Sequence, residues 1–188
     1  MKYEVIEDCT RIACFTGHRP SSFSFGYNES GKEFNKIMGL LDDTILIAIE
    51  NGYRYFISGA ALGVDTWAAE LVLERRKQFG LKLELAIPCL NQDKLWRDSY
   101  KERYYELLKE ADRITYVTRQ PYSRKFMVRR NKYMVDRSSL VIAVYNGIIG
   151  GTQNCYNYAL LKKKKVLRMN PNDCSITWIN SELSNKDD

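Results

Sequence analysis

The residues best suited to chemistry lie in two glycine-bearing loops, each of which directly follows a short apolar run. Glycine lets a backbone approach a ligand closely, and the start of a following helix presents unpaired N–H groups and the positive end of its dipole. This combination predicts a site for a phosphate or another anion; a tight strand-to-helix turn that binds nothing is the alternative. The first loop contains Ser58, Gly59, Ala60, Gly63 and Asp65, and the second contains Asn146, Gly147, Gly150, Gly151 and Thr152. The first loop lacks the G-x-G-x-x-G spacing of dinucleotide-binding proteins, which disfavours a standard NAD-dependent dehydrogenase.

A third loop, at residues 16–20, carries the single histidine of the chain. Any imidazole acid, base or ligand role must therefore belong to His18, although a histidine satisfied by backbone groups is the simpler interpretation. Arg19 is a candidate fork for a phosphate or carboxylate, and Thr16 and Gly17 lead into it.

The carboxylates and amides near these loops allow two interpretations each. Asp65 is expected at or near a helix N-cap, where capping competes with binding a ribose hydroxyl or assisting hydrolysis. In the helix predicted at residues 126–136, Asn131 falls on an apolar face and is expected to bond to a neighbouring loop backbone. Arg130 flanks that face, so its guanidinium can reach the ligand edge. Asp136, on the opposite face, is a second candidate acid.

Three aromatic residues are candidates for stacking on a base: Tyr145, Trp96 and Trp67. Stacking on an aromatic ring is worth roughly 1–3 kcal/mol per base. The helical spacing around Trp67 favours a place in the core instead.

Strand-like and helix-like segments alternate along the chain, which indicates an α/β fold. We expect a doubly wound, mostly parallel sheet of five or six strands with helices on both faces, in which ligands bind at the carboxyl ends of the strands. Strands are predicted at residues 11–15, 53–58, 83–87, 113–117, from 140, and at 166–168; helices at 33–50, 64–79, across 95–111, at 126–136 and after 152. A single domain over residues 1–188 is expected, with its core at about 11–168 and a frayed tail from about 181.

Composition narrows the class of protein. The chain has 188 residues and a net charge of +6, which is compatible with an anionic partner. Its five cysteines form no C-x-x-C pair, so neither a disulfide framework nor a zinc site is expected. No signal peptide or membrane-length apolar run is evident, and we expect a cytoplasmic protein with no metal and no required cofactor. The lysines at 162–165 are expected to end the last helix.

The ordered motifs resemble the SLOG superfamily, and within it the YpsA-like group of bacteria and phages. The resemblance covers roughly residues 11–168 and is carried by Thr16-Gly17-His18-Arg19-Pro20, Ser58-Gly59-Ala60-Ala61-Leu62-Gly63-Val64-Asp65, Arg130-Asn131, Tyr145-Asn146-Gly147 and Gly150-Gly151-Thr152. It implies a Rossmann-like domain that binds a nucleotide or nucleotide-derived molecule, such as ADP-ribose or a cyclic nucleotide signal, as a sensor, regulator or sequestering protein. It also implies a homodimer.

The resemblance leaves two alternatives open. LOG phosphoribohydrolases carry a glutamate about one helical turn after their glycine-threonine turn, whereas Gln153 and Asn154 follow Thr152 here. A hydrolase would therefore need Asp65 or Asp136 to activate water. The other alternative is binding of single-stranded nucleic acid, as in the relative DprA, through the basic loop 119–125 and the lysine run.

Overall fold

The computed structural model describes residues 11–179, and these form a seven-stranded sheet in the order β4-β3-β2-β1-β5-β6-β7. The strands are β1 Ile12–Gly17, β2 Tyr55–Ser58, β3 Lys82–Ile87, β4 Arg113–Tyr116, β5 Leu140–Val144, β6 Lys165–Asn170 and β7 Ser175–Ile179. The helices are α1 Lys32–Glu50, α2 Val64–Phe79, α3 Asp98–Glu110, α4 Arg124–Arg137 and α5 Gly151–Leu161, with a short 3-10 turn at Pro20–Ser22. The prediction of a doubly wound, mostly parallel α/β fold is confirmed.

Two apolar layers hold helices against both faces of the sheet. Phe15 and Leu85 pack with α1, α2 and α3 on one face, whereas Cys14 and Ile57 pack with α4 and α5 on the other. Every residue of β5 is buried, which explains why its sequence shows no polar alternation. A strand covered on both faces has no solvent side to accommodate polar residues.

The sheet differs from the prediction by one strand. β7 pairs antiparallel with β6, and all five of its residues are exposed or half-buried. It follows a turn in which Asp173 accepts hydrogen bonds from the backbone N–H and hydroxyl of Ser175. An edge strand of this kind lacks the apolar run on which strand prediction depends. The tail predicted to fray from about residue 181 lies outside the described residues.

The third helix also begins later than predicted. Leu95 and Trp96 lie in the turn before α3, which starts at Asp98. Their apolar side chains suggested a helical face, yet Leu95 is 93% exposed. No helix within residues 11–179 has the length and apolar character needed to cross a membrane.

The chain changes direction across the sheet at β1. Strands β1 to β4 run outward in sequence on one side, and α4 then carries the chain back so that β5 pairs with β1 on the other side. The loops that leave β1 and β5 diverge onto opposite faces at this point, which opens a space at the carboxyl end of the sheet. Gly17, the last residue of β1, lies in register with Val144 of β5.

Candidate functional site

A crevice of about 330 Å³ lies at the carboxyl edge of the sheet, where β1 and β5 meet. Four segments supply its walls: the end of β1 with the following loop, the loop before α2, the inner side of α4 and the loop that enters α5. The lining residues are Phe15, Thr16, Gly17, His18, Arg19, Ser22, Ala61, Leu62, Asp65, Tyr122, Arg124, Met127, Arg130, Asn131, Met134, Ile148, Ile149, Gly150, Gly151 and Thr152. The two glycine-bearing loops of the sequence therefore meet at the same rim.

Hydrogen bonds from the second loop fix the end of β1. The backbone N–H of Asn146 donates to Nε2 of His18 at 3.3 Å, and the hydroxyl of Thr152 donates to the Gly17 carbonyl at 2.9 Å. Burial lowers the pKa of His18 below its ordinary value, and Nε2 acts as an acceptor, so the ring is neutral. This geometry is that of a histidine satisfied by the backbone, and it holds two walls of the crevice together.

Most residues of the first glycine-bearing loop support the crevice from behind and do not line it. Ser58 is fully buried; its hydroxyl donates to the Asp65 carbonyl at 2.7 Å and accepts from the N–H of Ala60 at 3.1 Å. Ser58 was predicted to belong to an anion-binding loop, and the structure corrects that expectation because its hydroxyl is already engaged within the loop. Gly63 has φ +91°, and a Cβ there would lie 2.6 Å from the His18 carbonyl. Of this loop only Ala61, Leu62 and Asp65 reach the crevice.

The floor of the crevice contains a buried ion pair. Arg130 Nη1 donates to Asp65 Oδ2 at 3.1 Å, and the two residues are 4% and 6% exposed. The guanidinium lies over Gly59, where an added Cβ would be 1.2 Å from Nη1. The absence of a side chain at Gly59 thus lets the Arg130 guanidinium of the same protein lie close to the backbone. Arg130 was predicted to reach the ligand edge; it lines the crevice, and its guanidinium is paired there with Asp65.

Gly63 is at the N-cap position of α2 and Asp65 is the second residue of the helix, so Asp65 lies near the N-cap, as expected, without capping the helix. The expectation about Asn131 was wrong. Asn131 accepts from Arg130 Nε at 2.9 Å and lines the crevice, whereas a bond to a loop backbone was expected. Burial raises the pKa of Asp65, and this rise is opposed by Arg130, Arg19 and the backbone N–H of Ala61.

The net charge of the crevice comes from two exposed arginines. Arg130 is balanced by Asp65, the only acid among the described lining residues, and this leaves Arg19 and Arg124. These two cations line the same crevice as the start of α5, whose first N–H groups have no acceptor within the helix. A Cβ built on Gly150 or Gly151 would meet no atom within 4 Å, so the backbone there borders open space. The arrangement suits a multiply charged anion such as a phosphate.

The other predicted binding residues lie away from the crevice surface. Tyr145 is 6% exposed, with its ring 5.0 Å from that of Tyr156 and 6.0 Å from that of His18, so it offers no free face for stacking. Asn146 and Gly147 form the turn after β5, in which Asn146 Oδ1 accepts from the N–H of Ile148. Trp67 is fully buried in the core, as its spacing favoured.

Asp136 is remote from this chemistry. Its carboxylate accepts from the Tyr158 hydroxyl at 2.9 Å and lies 3.9 Å from the Lys162 ammonium, on the outer side of α4 and α5. It does not line the crevice, so the geometry gives no support to a role in activating water there. Within residues 11–179, no group of three or more His, Cys, Asp or Glu side chains is placed to hold a metal ion.

Sequence reasoning missed several lining residues. Tyr122 and Arg124 belong to the basic loop that was considered only for nucleic acid, and Ile148 and Ile149 were passed over between the glycines. The basic loop was the available signal for Arg124. Met127 and Met134 belong to the apolar face of the helix predicted at residues 126–136, and in the structure both line the crevice. Val128, on the same predicted face, is 44% exposed.

Trp96 lines a second cavity, of about 470 Å³, beside the crevice. Arg19, Tyr122 and Met127 line both, so the two spaces adjoin. A third, of about 440 Å³, continues past Trp96 and is bordered by Arg97, Tyr27 and Tyr100. Basic and aromatic side chains therefore extend beyond the crevice in one direction.

Comparison with known proteins assigns the chain to a family. The YpsA model, the YspA SLOG family, matches residues 13–180. A UPF0398 protein of Halalkalibacterium halodurans is 27% identical over 181 residues, covering 92% of this chain and 93% of that protein. The SPbeta prophage-derived protein YoqJ of Bacillus subtilis is 37% identical over 137 residues, covering 66% of this chain and 78% of YoqJ.

Solved structures share the fold at low identity. DNA processing protein A (DprA) of Streptococcus pneumoniae superimposes with a TM-score of 0.57 at 18% identity, over 85% of this chain and 50% of that chain. DprA of Helicobacter pylori, solved for its single-stranded DNA binding mode, gives 0.55 at 17% identity, over 84% and 64%. The chain thus spans about half to two-thirds of the length of these DprA proteins.

Proposed function

The chain belongs to the YspA SLOG family, and from that premise we propose that its crevice binds a phosphate-bearing, nucleotide-derived small molecule. An ADP-ribose-like molecule or a cyclic nucleotide signal fits this class, and the protein would act as a sensor, a regulator or a sequestering protein. The observation that carries the proposal is the convergence of the open α5 N-terminus with Arg19 and Arg124 on one crevice.

The charges explain why an anion is favoured there. The Asp65 carboxylate is already satisfied by Arg130 and by the N–H of Ala61, so it contributes little repulsion to an incoming phosphate. Neither Arg19 nor Arg124 forms an ion pair with a described residue, and a guanidinium matches phosphate oxygens in a bidentate geometry. On binding, the phosphate would exchange its surrounding water for these fixed donors.

Calorimetry with Arg124→Gln tests the proposal. We expect ADP-ribose, AMP or pyrophosphate to bind the unaltered protein and the variant to bind about tenfold more weakly or worse, because a charge-assisted hydrogen bond is worth roughly 1.5–3 kcal/mol. Arg129→Gln is the matched control: it makes the same change on the same helix, at an exposed position that does not line the crevice. Equal losses in the two variants, or no binding at millimolar ligand, would contradict the proposal.

Single-stranded nucleic acid is a second candidate, favoured by the aromatic and basic border beyond the crevice. Trp96, Arg97, Tyr27 and Tyr100 line the third cavity, and bases stack on such rings while arginines track phosphates. This candidate predicts that affinity for an oligonucleotide falls steeply between low and moderate salt. A flat salt response would remove it. The expected homodimer stays a prediction, which light scattering of the purified protein would test.

A further inference from the structure

The second cavity, beside the crevice, has the construction of a ligand pocket. Its volume of about 470 Å³ lies within the roughly 300–1,000 Å³ usual for small-molecule sites. Its lining is mainly apolar and aromatic, with a few polar groups: Arg19, Asn91, Gln92, Lys94, Leu95, Trp96, Pro121, Tyr122 and Met127. The N–H of Tyr122 donates to Asn91 Oδ1 at 2.7 Å, which ties the two loops that form its walls.

One residue of the cavity lining has a side-chain atom without a hydrogen-bond partner. Gln92 is 8% exposed, and its Nε2 donates to the Ala60 carbonyl at 3.3 Å. Its Oε1 is buried and accepts no hydrogen bond from any described residue. Buried polar atoms without partners are rare because each forfeits its hydration, so an unpaired acceptor on a residue that lines a cavity marks a place for a donor from a ligand.

We propose that this cavity is a nucleobase subsite for the same ligand whose phosphate lies in the crevice. The inference rests on the proposed function and adds the chemical class of the second half of the ligand: an aromatic base with an exocyclic amino group. The amino group donates to Gln92 Oε1, and the ring contacts Trp96 and Tyr122. Arg19, which lines both spaces, lies where the ribose and phosphate would join them.

The arrangement of charges favours this division of the ligand. The crevice has two unbalanced arginines and an open helix N-terminus, whereas aromatic and aliphatic side chains dominate the adjoining cavity. A nucleotide has the same polarity, with its charge at one end and a flat, weakly polar ring at the other. A simple inorganic anion would leave the second cavity and Gln92 Oε1 unused.

A series of three ligands on the unaltered protein tests the subsite by calorimetry. Ribose 5-phosphate has no base, purine riboside 5′-monophosphate has the ring without the amino group, and AMP has both. We expect affinity to rise at each step, with roughly ten- to hundredfold between the first and the last from stacking and the added hydrogen bond. Equal affinity for ribose 5-phosphate and AMP would overturn the subsite while leaving the phosphate crevice intact, and no binding by any of the three would overturn both.

Trp96→Ala separates stacking from a general effect of the substitution. We expect it to abolish most of the preference for AMP over ribose 5-phosphate and to leave the affinity for ribose 5-phosphate unchanged. Trp178→Ala is the control, since Trp178 is a half-exposed tryptophan of β7 at the sheet edge and lines neither space. An undiminished preference in Trp96→Ala would refute the assignment. Competition between AMP and a short deoxyadenosine oligomer shows whether the base comes from a free nucleotide or from a strand, and either source supports the subsite.

Discussion

Substituting Gly59 by alanine should destabilise the protein by displacing a side chain rather than by straining the backbone. Gly59 does not have a positive φ, so alanine can adopt its conformation. The added Cβ would nevertheless lie 1.2 Å from Arg130 Nη1 and 2.5 Å from Asp65 Oδ2. Arg130 must therefore leave its position, and a carboxylate that is 6% exposed loses its counter-ion.

Breaking a buried ion pair while one charge stays buried costs about 3–5 kcal/mol. For a chain of this length each kcal/mol lowers the melting temperature by about 2–4 °C, so we expect a fall of about 6–20 °C. Thermal and urea unfolding followed by circular dichroism measures it. Gly39→Ala is the matched control: Gly39 lies inside α1 with open space at its Cβ position, so alanine should stabilise by about 0.5–1 kcal/mol through helix propensity.

A variant that lacks the ion pair tests whether the displaced arginine causes the destabilisation. In an Arg130→Ala/Asp65→Ala protein the atoms that block residue 59 are gone, and Gly59→Ala should then cost little. A penalty that persists there at full size would show that the pair is not the cause. Likewise, a Gly59→Ala protein as stable as the parent would refute the close approach itself.

Three further outcomes follow from the structure. Because burial lowers the pKa of His18 below its ordinary 6.5, the fold favours the neutral ring; the stability it contributes is complete above pH 6.5 and is lost as pH falls below it. Urea unfolding between about pH 7 and 5 should show this loss of stability. His18→Gln, which keeps an acceptor for the Asn146 N–H, should reduce the loss. An identical dependence of stability on pH in the variant would show that His18 is not its source. Arg103 bridges Glu70 and Glu29, and Glu29 also accepts from the Trp67 indole. Arg103→Ala should therefore lower the free energy of unfolding by about 1–2 kcal/mol. Lys109→Ala, which removes an exposed ion pair, is the control and should leave that free energy unchanged. Tyr133→Phe removes one of three hydroxyls that donate to the fully buried Glu84 and should cost about 1–3 kcal/mol in the same assay; a neutral result would mean that Tyr55 and Thr115 satisfy the carboxylate alone.

The sequence allowed the architecture to be predicted because local patterns carry it. The unbroken apolar run 140–144 predicted a strand buried on both faces, and the helix predicted at residues 33–50 ends where α1 ends. The antiparallel β7 was missed because its exposed edge gives it no comparable pattern. The alternation of strands and helices predicted a mostly parallel sheet, in which the loops after the strands share one rim, so the position of a crevice there could be inferred before its residues were known.

The roles of individual residues were harder to predict because they depend on contacts between distant positions. Asp65 and Arg130 are 65 positions apart, and nothing local to either indicates their pairing. The same glycine that lets a backbone approach a phosphate also lets an arginine lie over it, so Gly59 could be recognised as special but not assigned. Tyr145 was expected to offer a face for base stacking, yet Tyr156 from α5 packs against its ring.

These contacts divide the crevice into a fixed frame and an open mouth. The frame consists of groups that satisfy one another: Asp65 with Arg130, His18 with the Asn146 N–H, and Thr152 with the Gly17 carbonyl. Because their hydrogen bonds are already made, these residues hold the loops at a set separation and gain little from contacting a ligand. A ligand would therefore be recognised by the groups that form no ion pair or hydrogen bond of this kind within the frame. These groups lie at the mouth of the crevice and are Arg19, Arg124 and the N–H groups in the first turn of α5. The motif residues of the family therefore divide between the two parts: most of them build the frame, whereas Arg19 and the Gly150-Gly151 pair lie at the mouth beside Arg124, which belongs to no motif.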